Sequence, residues 1–330
     1  MRKSLITNII LALSSTCLIL GGAEIIMRFS WRMSGWVERP IYQRSANPYL
    51  RYELVADTAL AERVRINSGG FRGREYTVEK PLGIFRIIML GDSEILSVML
   101  PQEDTLPEQL ERLLNRNSAS LRYEVFNFGV EGYNTLQELE QLKAKGLKYA
   151  PDLIILNYVL NDPEPGEYYF NKTFLMRHSA LVRYFTYRIK KTLIKRERKR
   201  LNIRSEIDHF YYLHQPKYFK RIKEAILEMA EISRARGRKL AVVIFPTSSL
   251  AVESFKDKYP YKELHALVKS IPIDNIIFID LIEEFNRLNI SPQEASVNYI
   301  YNESHKNAAA LKVAAEYIYT ILRNNRLIPE

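Results

Sequence analysis

Residues 84–93 of this 330-residue chain read Ile84-Phe85-Arg86-Ile87-Ile88-Met89-Leu90-Gly91-Asp92-Ser93. The first seven residues form a short apolar run, rich in branched side chains, which a glycine closes. Such a run between turn residues is typical of a buried β-strand. The segment therefore predicts a buried strand that ends in a Gly-Asp-Ser turn.

The chain on the carboxyl side of this run repeats the same pattern. Four more apolar runs predict strands, at 123–128, 153–159, 240–245 and 276–279. Helical spacing of apolar residues occurs between and after them, at 106–114, 136–147, 219–235, 261–269 and 307–323. An alternation of strands and helices is the signature of parallel strands joined by crossover helices. The predicted fold class is therefore α/β, with a parallel sheet.

The amino-terminal segment has a different composition. After Arg2 and Lys3 the chain is apolar from Leu5 to about Met27, which is long enough for a bilayer span or a secretory signal. The apolar run continues past the small residues at 20–23, where a signal peptidase could cut, and this favours an uncleaved, single-pass transmembrane anchor. Positive charges flank both ends of the apolar run, so the charge bias does not fix the orientation of the predicted anchor in the membrane. We expect the body of the protein to be extracytoplasmic.

Three regions follow from these patterns. Residues 1–29 are the predicted anchor or signal, residues 30–83 an irregular connector, and residues 84–330 an α/β domain. The domain contains a basic helical insertion at about 163–215. The dense lysine and arginine residues at 190–200 have two interpretations: a solvated helix face, or a contact with anionic lipid headgroups or an acidic glycan.

Composition excludes several classes of function. The net charge is +10, but no zinc-finger or RNA-binding signature accompanies it, so we expect no nucleic-acid partner. Cys17 is the only cysteine, which excludes an internal disulfide and any metal site that needs cysteine pairs. The histidines show no metal-like spacing. The sequence implies neither a metal nor a cofactor.

Reactive residue types follow the predicted strands. Ser93 follows the first strand, Gly132 the second and Asn161 the third, and His305 stands just before the last helix. Ligands of open α/β sheets bind beyond the carboxyl ends of the strands, so these residues are expected at one rim. Acyl transfer needs such a set: histidine deprotonates a serine nucleophile, and backbone N–H groups with an asparagine amide bind the oxyanion.

The chain resembles the SGNH hydrolases, the GDSL esterase and lipase superfamily. Four segments carry the resemblance, namely Gly91-Asp92-Ser93, Val130-Glu131-Gly132-Tyr133-Asn134-Thr135, Asn161-Asp162, and His305 with the following Asn307-Ala308-Ala309. The resemblance implies a flavodoxin-like sheet sandwiched by helices. It implies Ser93 and His305 as catalytic residues, and an oxyanion hole of Ser93, Gly132 and Asn161. The implied substrate is an acylated small molecule, glycan or lipid, which is hydrolysed or used for O-acyl transfer.

One position departs from the family pattern. The family has an aspartate three residues before the histidine, where this chain has Asn302. In a serine protease the same replacement lowers the rate about 10⁴-fold, because the histidine takes the wrong tautomer. Here three outcomes are open: a Ser93–His305 dyad, replacement of the acid by a neighbour such as Glu303, or a slow or silent site. The alternative to an enzyme is a non-catalytic binding or scaffold module of a membrane-associated assembly that modifies a polymer.

Overall fold

The computed structural model describes residues 2–33, 41–60, 63–118, 120–164, 175, 178–298 and 303–329. The chain forms two compact units. The helical unit comprises Met1–Arg39 with Tyr169–Arg204, and the sheet unit comprises Pro40–Tyr168 with Ser205–Glu330. The three region boundaries expected from the sequence stay predictions.

The secondary-structure elements alternate along the chain. Its first part contains α1 (Arg2–Met33), β1 (Tyr42–Arg44), β2 (Tyr52–Leu54), β3 (Thr58–Leu60), β4 (Val64–Ile66), β5 (Ile84–Gly91), α2 (Ser93–Leu96), α3 (Leu106–Arg116), β6 (Arg122–Gly129), α4 (Thr135–Gln141) and β7 (Leu153–Tyr158). Its second part contains α5 (Ala180–Arg200), α6 (Glu206–Leu213), α7 (Pro216–Arg234), β8 (Leu240–Ile244), α8 (Lys262–Lys269), β9 (Ile276–Asp280), α9 (Leu281–Arg287), α10 (Pro292–Ala295), β10 (Ser296–Asn298), β11 (Glu303–Lys306) and α11 (Ala308–Asn324).

Five parallel strands form the central sheet, in the order β6-β5-β7-β8-β9. Numbered along the chain, this is the order 2-1-3-4-5 of flavodoxin-like sheets. The fold class predicted from the sequence is therefore confirmed. The order also places a topological switch point beside β5, where the connections leave in opposite directions and ligands bind in such folds.

Helices cover both faces of the sheet. On β5, Ile88 and Leu90 face one apolar core, whereas Ile87 and Met89 face the other, since side chains alternate along a strand. Helices α4, α7 and α8 contribute to the first core, and α3 and α11 to the second. Burial on both faces explains why the strands are nearly continuous apolar runs.

A buried arginine ties residues 77–79 to this sheet. Arg86 on β5 is fully buried, and its Nε pairs with a carboxylate oxygen of Glu124 at 2.9 Å. Its remaining N–H groups donate to backbone carbonyl oxygens that include those of Thr77 and Tyr149, at 2.8 and 2.9 Å. Every part of the charge is thus matched, which a buried guanidinium requires.

The structure differs from the expected elements in several places, of which three affect the sheet unit most directly. Residues 30–83, interpreted as an irregular connector, contain the antiparallel pairs β1–β2 and β3–β4, whose three-residue strands are too short to show a period. The helix expected at 136–147 widens into a π-turn at Leu142–Gly146 after α4 ends. Helix α9 was not predicted, and it begins directly after β9 because the Asp280 side chain caps it.

The helical unit contains α1 and α5. In α1 the stretch Leu5–Ser30 is long and apolar enough to cross a membrane, and its most apolar part is entirely exposed in the structure. A membrane span and a signal sequence both meet this description.

Candidate active site

Ser93 lies at the carboxyl edge of the sheet, as its position after the first strand predicts. It is the first residue of the short helix α2, which follows β5 after the single residue Asp92. The Asp92 side chain caps this helix by accepting the N–H of Glu94 at 2.9 Å. The tight strand-to-helix turn therefore holds the serine hydroxyl at the end of the central strand.

His305 reaches the same point from the other end of the chain. It lies on β11, which pairs with β10 just before α11. Its Nε2 atom is 2.7 Å from the Ser93 hydroxyl oxygen, across 212 positions of sequence. This is the distance at which an imidazole takes the proton of a nucleophile.

Asn161 and Gly132 follow the two strands that flank β5. The Asn161 amide nitrogen is 3.5 Å from a carboxylate oxygen of Asp92, and the same oxygen is 3.4 Å from the Ser93 hydroxyl. Gly132 lies in the turn after β6, with a left-handed φ of 75° that favours glycine. Both residues therefore lie at the predicted rim, and their oxyanion roles stay predictions. Asn302 lies outside the described residues.

A glycine on the neighbouring strand lets the Ser93 helix sit close to the sheet. Gly129 ends β6, opposite Gly91 of β5. A Cβ atom at position 129 would lie 2.2 Å from the backbone nitrogen of Leu96 and 2.7 Å from the carbonyl carbon of Ile95. Any larger residue would push α2 away from the sheet and move Ser93 with it.

A buried ion pair joins the serine turn to the histidine strand. Glu94 follows Ser93, and Lys306 follows His305. One carboxylate oxygen of Glu94 accepts the backbone N–H of Lys306 at 3.0 Å, and the other lies 3.5 Å from the Lys306 ammonium. The Lys306 side chain is 1% exposed, and burial lowers its pKa. This ion pair links the segment that carries Ser93 to the strand that carries His305.

A second buried cation holds the far end of the serine helix. The Arg72 side chain is fully buried. It donates to the carbonyl oxygens of Leu96 and Ser97, both at 2.6 Å, and of Leu100, at 2.7 Å. Burial lowers the pKa of Arg72 to about 10, which leaves it charged at neutral pH. Arg72 thus binds the C-terminal carbonyl groups of α2, where a positive charge stabilises a helix.

Three buried carboxyl groups lie beneath the rim. Burial raises the pKa of Asp92, and it raises those of Asp162 and Glu138 well above their ordinary values. Asp162 accepts a hydrogen bond from Thr135 at 2.7 Å. Both carboxyl oxygens of Glu138 are buried and, in the described part of the chain, have no hydrogen-bond partner. A buried carboxylate without partners is costly, so burial favours the neutral form of Glu138.

The site has the geometry of acyl transfer. The histidine can accept the serine proton and later return it to a leaving group. A charged Asp92 would favour the imidazolium formed in between, because opposite charges attract strongly in a poorly solvated site. Among the residues the structure describes, no group of three His, Cys, Asp or Glu side chains could hold a metal ion.

Comparison with known proteins gives structural matches only. No family model matches the chain, and no curated protein matches its sequence. The solved structures that it resembles include acylhydrolases and esterases.

Three of these structures each cover about three quarters of this chain. An acetylxylan esterase from Geobacillus stearothermophilus is 13% identical, with 72% of this chain and 94% of the other covered and a TM-score of 0.45. The lipase/acylhydrolase from Enterococcus faecalis is 14% identical, with 74% and 98% covered and a TM-score of 0.43. A two-domain esterase active on acetylated mannans is 12% identical, with 75% and 51% covered and a TM-score of 0.43. Because the identities are below 25% and the TM-scores below 0.5, this likeness does not indicate which reaction the chain catalyses.

The sequence predicted that Ser93 and His305 lie together, and it did not predict the buried charged residues around them. Glu94 and Lys306 carried a usable signal, because opposite charges stand directly after the two candidate catalytic residues. Arg72 carried no sequence signal, because the groups that accept its hydrogen bonds are backbone carbonyl oxygens 24–28 residues away.

Proposed function

We propose that this protein is a serine esterase or O-acyltransferase that acts on ester-linked acyl groups, with Ser93 as nucleophile and His305 as its base. The observation that carries the proposal is the 2.7 Å separation of His305 Nε2 and Ser93 Oγ. The serine attacks the ester carbonyl carbon while its proton passes to His305. The tetrahedral intermediate then expels the alcohol, which takes that proton and leaves an acyl-enzyme.

The second half of the reaction regenerates the serine. An acceptor hydroxyl gives its proton to His305 and attacks the acyl carbonyl, and the serine leaves with the proton. Water as acceptor gives hydrolysis, whereas a sugar or lipid hydroxyl gives transfer. The N–H groups of Ser93 and Gly132 and the amide of Asn161 are the proposed oxyanion donors. One such donor contributes about 3–4 kcal/mol to the transition state.

Ester hydrolysis by the detergent-solubilised full chain tests this proposal. A simple aryl acetate comes first, followed by O-acetylated glycans and acylated lipids, with and without acceptor sugars. We expect Ser93→Ala to abolish release of the acyl group. The control Ser270→Ala, at an exposed position after α8, should keep the full rate.

The second candidate function is a non-catalytic binding module, and Asn302 is the observation that favours it. In that case Ser93→Ala would retain all binding to an acylated glycan, and the wild-type protein would release no acyl group from any of these esters. Turnover that Ser93→Ala removes would exclude this candidate.

We also propose that α1 anchors the protein in a membrane as a single-pass span. Its 26-residue apolar stretch is about 39 Å long at 1.5 Å per residue, which exceeds the roughly 30 Å of a bilayer core. Alkaline carbonate should leave the protein in the membrane pellet, with its amino terminus intact. Release by carbonate, or a mature chain that starts after residue 22, would contradict the anchor. A reporter fused after Glu330 will show whether the sheet unit is extracytoplasmic, as we propose.

A further inference from the structure

The helical unit joins its two helices through one acidic residue of α1. Glu24 accepts hydrogen bonds from the backbone N–H groups of Ala180 and Leu181, at 2.8 and 3.0 Å. It also accepts one from the Ser179 hydroxyl, at 2.8 Å. These are the first N–H groups of α5, so a carboxylate on α1 caps that helix. Arg28 pairs with the same carboxylate at 2.7 Å, which balances its charge.

This cap sets the depth at which α5 begins. Glu24 stands six residues before the end of the apolar stretch Leu5–Ser30, or about 9 Å along the helix. If α1 spans a membrane, as proposed above, the start of α5 lies near the boundary between hydrocarbon and headgroups. The free-energy cost of a carboxylate at that depth is lower when the N–H groups of a helix N-terminus donate to it and an arginine balances its charge.

Helix α5 is too highly charged to continue into the hydrocarbon. It has nine lysine and arginine residues and one acidic residue, Glu197. Every residue from Tyr187 to Arg200 is exposed. The charge therefore needs water or anionic groups along most of the helix.

The same helix also exposes an apolar stripe. Phe185, Ile189 and Leu193 follow each other at intervals of four residues and are 58%, 60% and 57% exposed. At 100° per residue they lie on one side of the helix, and Lys191 lies on the opposite side. The rest of the helix surface is densely basic and also exposes Tyr187 and Ile194 among the lysine and arginine residues. A basic helix with an exposed apolar stripe is suited to a membrane interface.

We propose that α5 is an interfacial helix that binds the surface of an anionic membrane. Its apolar stripe enters the acyl boundary, and its lysine and arginine residues contact anionic lipid headgroups. This proposal depends on the membrane anchor proposed above. Two observations favour a membrane over another partner: α5 begins at a residue of the spanning helix, and its charge is opposite to that of anionic lipids.

Fluorophore accessibility in nanodiscs tests the proposal on the full chain. Cys17→Ser provides a cysteine-free background, and single cysteines are introduced as Ile189→Cys in the stripe and Lys191→Cys opposite. The environment-sensitive label at each site is quenched by acrylamide, which is neutral and stays in water. Leu13→Cys, inside the apolar stretch of α1, reports on the anchor, and Ser270→Cys reports on an exposed site.

In nanodiscs with one third phosphatidylglycerol we expect the Ile189 label to be quenched about five- to tenfold less than the Lys191 label. Equal quenching of both, at the level of Ser270, would overturn the interfacial helix. In that outcome a protected Leu13 label shows that the anchor proposal still holds, whereas an exposed Leu13 label shows that the anchor fails. Protection of Ile189 only after addition of polygalacturonate would assign α5 to an acidic glycan and overturn the membrane proposal.

Charge removal tests the lipid preference. Lys195→Gln with Lys199→Gln should shift quenching of the Ile189 label in anionic nanodiscs part of the way toward the level seen in phosphatidylcholine alone, because seven of the nine basic residues remain. The matched control neutralises Lys217 and Lys220, which are exposed on α7, and should change nothing. An equal effect of both pairs would show non-specific attraction and contradict a site on α5.

Discussion

Replacement of Lys306 by methionine tests how the site is held together. Lys306 is 2% exposed and its ammonium lies 3.5 Å from the Glu94 carboxylate. Methionine keeps the length of the side chain and removes the charge. The Glu94 carboxylate then keeps its 3.0 Å hydrogen bond to the backbone N–H of residue 306 but loses its counter-charge.

The size of the effect follows from burial. Removal of one partner from a buried ion pair lowers the free energy of unfolding by about 3–5 kcal/mol. Because Glu94 keeps its hydrogen bond to the backbone, we expect a loss of about 3 kcal/mol. For a unit of this size that corresponds to a fall in Tm of about 6–12 °C. Because the ion pair connects the turn of Ser93 to the strand of His305, we also expect the reactivity of Ser93 to fall. A displacement of about 1 Å costs about 100-fold.

Two assays on the detergent-solubilised full chain measure these effects: thermal unfolding, and the rate at which a fluorophosphonate labels Ser93. The double variant Glu94→Gln with Lys306→Met should recover most of the lost Tm, because no unpaired charge remains. The matched control is Lys258→Met, which breaks a pair with Glu253 whose side chains are 71% and 70% exposed, and it should shift Tm by less than about 2 °C.

If Lys306→Met gave the same Tm and labelling rate as Lys258→Met, the buried ion pair would not hold the site together. A double variant as unstable as the sum of the two single variants would also exclude this role. That result would mean that Glu94 and Lys306 do not stabilise each other.

Three further predictions concern the candidate active site. Gly129→Ala should abolish labelling of Ser93 and lower Tm, because the new methyl group would lie 2.2 Å from the Leu96 nitrogen; an active, stable variant would contradict the close approach of α2. Burial raises the pKa of Glu138 above its value of about 4.3 in the unfolded chain. The stability that this side chain contributes is therefore present below about pH 4.3 and is lost as the pH rises toward the pKa in the folded protein. Glu138→Gln should therefore gain in Tm over the wild type increasingly from pH 5 to 8, and a constant difference would refute this. Asn302→Asp should raise the rate of ester hydrolysis by up to about 10⁴-fold if the asparagine limits the histidine, and an unchanged rate would show that another group orients His305.

The sheet could be predicted because its strands are buried on both sides. Residues such as Ile87 and Ile88 face different cores, so the whole strand is apolar and the run is visible in the sequence. The position of the candidate site could then be predicted from the sheet, because the residues that follow parallel strands lie together at one edge. Ser93 and His305 came together for that reason.

The residues that fix the site could not be predicted in the same way. Arg72 acts through backbone carbonyl groups of Leu96, Ser97 and Leu100, and any residue has such a group. Glu94 and Lys306 stand directly after Ser93 and His305 in the sequence, but only the tertiary structure buries them against each other. Pattern rules treat charge as exposed, so they overlook buried charges that position a site.

The central claim, that Ser93 and His305 form a working pair, is tested most directly by active-site labelling of the full chain. A fluorophosphonate probe is added to the detergent-solubilised protein, and the modified residue is mapped by mass spectrometry. We predict a label on Ser93 that is lost in His305→Ala and kept in His178→Ala, an exposed histidine of the helical unit. Folded wild-type protein without a label, or a Ser93 label that forms equally fast in His305→Ala, would contradict the account.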